Sequence, residues 1–193
     1  MEKPLSELTL EELWELFPII LKEHNLSYKE WYEEERNNLV KIAGPNIIER
    51  ISHIGSTYVE NLIAKPTIDI LMEIRSDCAI NSLQNILDKY GWVCMSYQEK
   101  PHLNISLNKG YTPKGFAEKV FHLHIRYLGD WDELYFRDYL NLHKDVANEY
   151  GNLKLTLKEI YEHDRDAYTE AKSEFILKYS NMAREELGNI YKP

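Results

Sequence analysis

The order of hydrophobic and polar residues along the chain predicts a mixed α and β protein. Apolar residues at helical spacing predict helices over residues 9–17, 28–43 and 77–90. Alternation with a period of two predicts strands over residues 47–54, 67–74, 92–97, 102–107 and 119–127. From residue 131 onward the pattern is helical and predicts about three further helices. We therefore predict an α+β fold, with a small mixed β-sheet flanked by helices and a C-terminal helical segment.

Capping and turn residues predict where several of these elements begin or end. Thr9 with Glu12, and Ser27 with Glu30, have the spacing of a capping box, which indicates a helix beginning at each. Turn chemistry predicts chain reversals at Gly91, Lys109-Gly110 and residues 113–115. We predict a single domain, with an N-terminal helical extension over residues 1–26, an α/β core over 27–128 and C-terminal helices over 129–193.

Composition narrows the class of protein. The chain has 193 residues, of which 44% are hydrophobic and 28% charged, as in soluble globular proteins. No apolar run approaches the ~20 residues that cross a bilayer, and residues 1–4 lack the apolar centre of a signal peptide, so we predict a cytoplasmic protein without membrane contact. The net charge of −9 opposes nucleic acid as a partner, so an anionic ligand requires a local group of basic residues.

The most informative motif joins the first two predicted strands. Gly55 lets the backbone approach a bound phosphate closely, Ser56 and Thr57 add hydroxyl groups, and free N–H groups beyond the turn would face the anion. Asp69, near the start of the next strand, is a natural metal ligand beside such a phosphate. The motif therefore predicts a phosphate-binding turn next to a carboxylate.

Strand geometry limits which residues can act together with Asp69. Asp69, Leu71 and Glu73 share one face of the predicted strand. Carboxylates at positions i and i+2 lie ~6.6 Å apart and can share a metal, whereas those at i and i+4 lie ~13 Å apart and cannot. We therefore predict that Glu73 is a solvated residue at the far end of the strand.

The segment 121–125 offers two further metal ligands. His122 and His124 project from the same face of a predicted strand and can chelate one cation, and with Asp69 they would form a site for Zn, Mn or Fe rather than Mg. The alternative is that they are hydrogen-bonded polar residues on an open sheet face. A polar face on the preceding strand is a further candidate for the same cleft, and comprises His102, Asn104 and Ser106.

Basic residues within apolar helical stripes are candidates for binding a phosphate. Lys154 and Lys172 each fall among apolar residues at helical spacing, so they need a partner or a route to water. Three interpretations remain open: snorkelling to solvent, an ion pair with Asp138, and contact with a bound phosphate. Lys65 and Arg137 are further candidates, although Arg137 could equally form a surface ion pair.

The chain resembles the GrpB family of uncharacterised bacterial proteins, which is placed by fold in the nucleotidyltransferase superfamily. The segments that carry the resemblance span about residues 28–185 and are His53 to Thr57, Ala64 to Ile70, His122 to His124, Phe136 to Leu140, Leu153-Lys154, and Tyr168-Thr169 with Lys172. The resemblance implies a nucleotidyltransferase-like sheet with a cleft near Gly55, Ser56 and Asp69. In nucleotidyltransferases a second Asp stands two residues after the first, where this chain has Leu71.

Three functions are consistent with these residues. The first is metal-dependent nucleotidyl transfer, in which Asp69, His122 and His124 hold a divalent metal and act in catalysis. The phosphates would then be bound by Gly55, Ser56, Thr57, Lys65, Arg137, Lys154 and Lys172. The second is a non-catalytic module that binds a nucleotide or phosphorylated small molecule, which the absence of an acid at Leu71 favours. The third is a metal-dependent hydrolase that uses the same Asp and two His residues.

Overall fold

The computed structural model describes residues 3–193 and contains one mixed sheet of five strands in the order β1-β2-β5-β4-β3. The strands are β1 (Ile48–Ile54), β2 (Thr67–Ile74), β3 (Val93–Gln98), β4 (Asn104–Thr112) and β5 (Gly115–Tyr127). The helices are α1 (Leu10–Leu16), α2 (Ser27–Ala43), α3 (Ile80–Lys89), α4 (Asp132–Leu142), α5 (Lys144–Tyr161), α6 (Arg165–Glu170) and α7 (Ser173–Leu187). The predicted α+β class, with helices around a small mixed sheet and a C-terminal helical segment, is confirmed.

Strand β2 lies between β1 and β5 and is buried on both faces. It pairs antiparallel with β1 and parallel with β5, and the parallel register sets Asp69 beside His122 and Leu71 beside His124. On one face of β2 the apolar residues join the main core, which is closed by α2 and α3. On the other face Leu71 packs with Ile54 and with Leu134 of α4. Burial on both sides explains why β2 is almost entirely apolar.

The C-terminal helices form a second core with the loop that follows β1. Helices α4, α5 and α7 pack around Val59 and Leu62, while Ile19 of the N-terminal segment packs against Leu157 and Tyr168. The helices therefore cover the sheet near the end of β1 and the start of β2. Among residues 3–193, no helix combines the length and the hydrophobicity needed to cross a bilayer.

Several predicted element ends agree with the structure, and others need correction. The capping box of Thr9 and Glu12 is present, and β2 has the predicted bounds. The capping box at Ser27 is wrong, because the side chain of Asn25 accepts the hydrogen bond from the Ser27 amide. The third helix begins at Ile80 rather than at residue 77, and four helices follow residue 131 instead of three.

The predicted turn at Lys109-Gly110 is a β-bulge inside β4. The pairing register with β5 shifts between Lys109 and Tyr111, and Gly110 has φ +96°. A Cβ atom at Gly110 would collide with the backbone of Lys119 on the neighbouring strand. Glycine is therefore required here for a close approach of two strands and not for a chain reversal.

Candidate functional site

A cavity of about 390 Å³ lies between the sheet, helices α5 and α6, and Lys172, which directly precedes α7. It collects most of the residues that the sequence singles out. Those lining it are Gly55, Ser56, Thr57, Lys65, Asp69, His122, His124, Lys154 and Lys172. Their separation along the chain is large, so their meeting is a property of the fold. We call this space the basic cavity.

The Gly55 turn brings the backbone against Asp69. Gly55 has φ +71° and is followed by a single turn of 3-10 helix, Ser56–Tyr58. A Cβ atom on Gly55 would overlap the Asp69 carboxylate. Both the positive φ and the close approach therefore require glycine. The turn and the carboxylate that the sequence separates by a loop form one wall of the basic cavity.

Thr57 and His53 hold this turn in place. The Thr57 hydroxyl donates to the Thr67 carbonyl (3.2 Å) and lies 2.9 Å from His53 Nε2. Burial lowers the pKa of His53 to about 4, so its imidazole is neutral at pH 7. Because the Thr57 hydroxyl gives its one hydrogen to Thr67, it accepts from the Nε2–H of His53. Its ring also stacks on Tyr32 at 4.8 Å. The Thr57 hydroxyl is thus already engaged within the protein.

Asp69 accepts a hydrogen bond at the end of a chain of donors. Arg165 donates to the Tyr111 hydroxyl (3.0 Å), which lies 2.8 Å from His122 Nε2, and His122 Nδ1 lies 3.1 Å from Asp69 Oδ1. Because Asp69 can only accept when ionised, His122 carries its proton on Nδ1 and accepts from Tyr111 at Nε2. Both nitrogen atoms of His122 are therefore in use.

The charge states follow from the same contacts. Burial by itself would raise the pKa of the Asp69 carboxyl, but the imidazoles of His122 and His124 together lower it below its ordinary value. Burial lowers the pKa of His122, and the neighbouring Asp69 opposes this only in part. Asp69 is therefore an anion and His122 is neutral at pH 7.

The described side chains do not fit the metal site predicted from Asp69, His122 and His124. His124 Nε2 lies 4.0 Å from Asp69 Oδ1, but His122 has no nitrogen left to bind a cation. Among residues 3–193, no three His, Cys, Asp or Glu side chains are arranged to hold a metal ion. Leu71 is buried against apolar neighbours and offers no second carboxylate. The three-residue metal site stays a prediction.

Three lysines line the opposite side of the basic cavity. Lys154 is 3% exposed and donates to Ser56 Oγ (3.1 Å) and to the Ile63 carbonyl. Lys172 lies 4.3 Å and Lys65 5.8 Å from the centre of the Tyr168 ring. Neither of the latter two has a hydrogen-bond or ion-pair partner among the described residues. Lys154 does not reach solvent, so snorkelling does not explain it.

Crowding and burial make these ammonium groups unusually acidic. Burial, and then the nearby cations, lowers the pKa of Lys65 and of Lys154 to about 7. Burial likewise lowers the pKa of Lys172 to about 8, although the Asp69 carboxylate raises it in part.

The predicted ion pair between a lysine and Asp138 is wrong, because Asp138 instead contacts Arg137 and Tyr191.

Arg137 does not belong to this cavity. Its guanidinium donates to Asp138 (2.7 Å), to the His53 carbonyl (3.1 Å) and to the Tyr191 hydroxyl (2.8 Å). It thus ties α4 to β1 and to the C-terminal segment. The alternative prediction of an ion pair describes its environment, although the pair is largely buried rather than on the surface.

The prediction that Glu73 is solvated is wrong. Its side chain is 0% exposed, forms a two-point ion pair with Arg50 and accepts from the Gly129 amide (3.1 Å). Of the predicted polar face on β4, only Ser106 sits beside His124 in the sheet register. His102 is exposed and lines a separate hollow with Tyr127 and Trp131.

Sequence reasoning missed several residues of the site. Those that line the cavity are Tyr150, Arg165, Asp166, Tyr168 and Thr169, and Tyr111 contacts His122. Arg165 opens α6, where Asp164 caps the helix by accepting from the Ala167 amide (2.9 Å). Tyr168 is 0% exposed, and its hydroxyl has no partner among the described residues. The helix cap was a readable signal for α6, but no local pattern indicates that this helix faces Asp69.

Comparison with known proteins identifies the family. The family model described as GrpB protein matches residues 18–181. This chain belongs to the GrpB family. It is 34% identical to the UPF0157 protein YqkA of Bacillus subtilis over 156 residues, which cover 79% of this chain and 43% of YqkA. The chain thus spans less than half the length of that relative.

Other GrpB relatives match over most of their length. The glutamate-rich protein GrpB of Alkalihalophilus pseudofirmus is 32% identical over 162 residues, which cover 82% of this chain and 91% of that protein. The crystal structure of the conserved protein GrpB from Enterococcus faecalis aligns with a TM-score of 0.73 and 29% identity, covering 87% of this chain and 99% of that chain. The Cid1 poly(U) polymerase aligns more distantly, with a TM-score of 0.43 and 14% identity, covering 77% of this chain and 45% of that chain.

Proposed function

We propose that this GrpB protein binds a nucleotide or another phosphorylated small molecule in the basic cavity. The supporting observation is an imbalance of charge. Four basic residues line the cavity, Lys65, Lys154, Lys172 and Arg165, against two acidic ones, Asp69 and the exposed Asp166. Buried ammonium groups are costly unless an anion compensates them. A polyphosphate would supply that compensation.

The surroundings of the turn suit a phosphate in particular. Gly55 allows a phosphate to approach the backbone closely, and the Lys154 ammonium donates to the Ser56 hydroxyl in the same turn (3.1 Å). A cavity of about 390 Å³ falls within the range of ~300–1,000 Å³ that is usual for small-molecule sites. We also propose a cytoplasmic location, since nucleotides and other phosphorylated metabolites are abundant there.

Metal-dependent nucleotidyl transfer at the same site is the second candidate. One observation favours it: Asp69 Oδ1 and His124 Nε2 are 4.0 Å apart, so both can approach one cation. A cation held by two protein groups would depend on the ligand's phosphates to complete its coordination, as Mg²⁺ commonly does. The hydrolase hypothesis needs His122 as well, whose nitrogen atoms are both engaged, so the geometry favours it less.

The test is calorimetric titration of ATP and of inorganic tripolyphosphate into the full chain, without metal and with MgCl₂ or MnCl₂. Lys154→Met should weaken binding of either anion about tenfold or more, because a charge-assisted hydrogen bond is lost. Lys158→Met is the matched control one helical turn along α5, where Lys158 pairs with exposed Glu162 at 3.7 Å. It should leave both affinities unchanged.

The outcomes separate the candidates. Failure of both anions to bind would overturn the proposal of a phosphate site. Binding that needs neither Mg²⁺ nor Mn²⁺, with no product formed from ATP, supports the binding module. Release of pyrophosphate only when Mg²⁺ or Mn²⁺ is present, and its loss in Asp69→Asn, would favour nucleotidyl transfer.

A further inference from the structure

A second cavity of about 390 Å³ adjoins the basic cavity. Lys65 and Arg165 line both spaces, so these two residues form the junction. The second cavity lies between the N-terminal segment, α2 and the start of β5. Its wall includes Ile20, Trp31 and Phe116. We call it the apolar cavity.

The two cations at the junction, Arg165 and Lys65, differ in how firmly hydrogen bonds hold them. Arg165 donates to the Phe17 carbonyl (3.1 Å) and to the Tyr111 hydroxyl (3.0 Å), and its guanidinium lies 5.9 Å from the centre of the Phe116 ring. The Lys65 ammonium lies 5.8 Å from the centre of the Tyr168 ring and has no hydrogen-bond or ion-pair partner among the described residues. The Arg165 side chain is therefore held in one position, whereas the Lys65 ammonium can turn toward a ligand in either cavity.

The two cavities differ in chemistry. The basic cavity contains ionised groups at its base and on its walls. The apolar cavity is lined mainly by aromatic, aliphatic and proline side chains; apart from Lys65 and Arg165 at the junction, its charged residues are the exposed Lys22 and Glu118. A molecule that occupies both spaces must be anionic at one end and apolar at the other. A planar group would suit the second space, since the aromatic side chains of Trp31 and Phe116 line it.

We propose that the apolar cavity accepts the nucleobase of a nucleotide whose phosphates bind in the basic cavity. This inference rests on the proposed function and narrows its ligand from phosphorylated small molecules in general to nucleotides. Stacking on aromatic side chains tolerates any base, because every base has a π face. Affinity should therefore depend on the presence of a base more than on its identity.

The test compares ATP with inorganic tripolyphosphate in a variant that fills the apolar cavity. Ala117 lies in β5, is exposed and lines this cavity, so Ala117→Trp adds bulk without displacing the core. We expect Ala117→Trp to weaken ATP binding about tenfold or more while leaving tripolyphosphate affinity unchanged. Ala117→Ser is the matched control and should alter neither affinity.

The results distinguish this inference from the proposal on which it rests. If wild-type protein binds ATP no more tightly than tripolyphosphate, or if Ala117→Trp weakens both equally, the nucleobase site is overturned while the phosphate site stands. If neither anion binds the wild-type protein, the phosphate site fails and the inference fails with it.

Tryptophan fluorescence provides a measurement that does not depend on Ala117→Trp folding. Trp31 is partly buried and packs edge-on against Tyr28 at 5.6 Å. ATP should quench its emission by stacking, tripolyphosphate should not, and Trp31→Phe should remove the quenching. Quenching by ATP that persists in Trp31→Phe would contradict the placement of the base.

Discussion

Strand β2 carries two carboxylates on the same face, Asp69 and Glu73, in opposite circumstances. Glu73 is 0% exposed and faces Arg50 and the Gly129 amide. Asp69 is 28% exposed and borders a cavity that also contains three lysines and Arg165. Four residues along one strand thus separate a closed ion pair from an open site.

The difference lies in the balance of charge. At Glu73 one guanidinium meets one carboxylate at two points, and the remaining donors of Arg50 reach the carbonyls of Gly129 (2.7 Å) and Tyr191 (3.3 Å). Around Asp69 the basic residues outnumber the acidic ones, and the ammonium groups of Lys65 and Lys172 have no hydrogen-bond or ion-pair partner among residues 3–193. A balanced buried pair needs nothing further, whereas an unbalanced one is stabilised by an added anion.

The largest effect should come from breaking the balanced pair. Glu73→Gln leaves the Arg50 charge without its counterion in a largely buried place, so we expect the free energy of unfolding to fall by about 3 kcal/mol. Urea denaturation followed by circular dichroism measures this. The affinity for ATP in the folded variant should be unchanged. A loss below about 1 kcal/mol would mean that solvent reaches Arg50 well enough to replace Glu73.

The next effect is the pH dependence of ligand binding, which should arise only at the unbalanced site. Since the pKa values of Lys65 and Lys154 are lowered to about 7, the free protein loses these cations as the pH rises above 7. An anion that needs them must then bind together with protons, so its affinity falls with rising pH. We expect ATP affinity to fall about tenfold or more between pH 7 and pH 9.

Calorimetry in buffers of different ionisation enthalpy should detect the matching proton uptake. Lys154→Met should reduce both the slope and the uptake, whereas Lys158→Met should not. Affinity that is constant between pH 7 and pH 9 would show that these lysines are already fully charged in the free protein, contrary to the expected effect of their burial.

The smallest effect should come from the amide substitution that parallels Glu73→Gln. Asp69→Asn removes the negative charge from the basic cavity but keeps an oxygen that can accept from His122. Without metal, we expect ATP affinity to rise about fivefold, because one repulsion is removed. The free energy of unfolding should fall by about 1 kcal/mol, less than in Glu73→Gln, because the neighbouring ammonium groups lose a carboxylate but can release their protons. Weaker binding of ATP would instead mean that the carboxylate itself assists the ligand.

Local sequence signals located the strands and the turn but not the environment of each side chain. The period-two pattern gave β2 its bounds, and the Gly55-Ser56 turn stands where the sequence predicts it. The same alternation put Asp69 and Glu73 on one face, yet it could not tell that Arg50 and the Gly129 amide enclose Glu73 while α5 and α6 leave space beside Asp69. The segments that pack on a sheet face are distant in the chain, and the alternation of polar and apolar residues within one strand carries no information about them.

Arg165 and Arg137 illustrate the same limit in opposite directions. Arg137 stands in a segment that carries the family resemblance, but α4 turns it toward Asp138 and Tyr191. Arg165 has no distinctive context and still reaches Tyr111, which contacts His122. A long basic side chain can be placed only when both the axis of its helix and the strand order are known.

The sequence by itself determined the α+β class, the Gly55 turn, the family, and the set of lysines and histidines that meet around Asp69. Only the tertiary structure decided that His122 is engaged at both nitrogen atoms, that Glu73 is paired with Arg50, and that a second, apolar cavity adjoins the first. The physical reason is range. Backbone preferences and alternation act between near neighbours in the chain, whereas charge balance and cavities depend on segments that the parallel pairing of β2 and β5 and the docking of the C-terminal helices bring together.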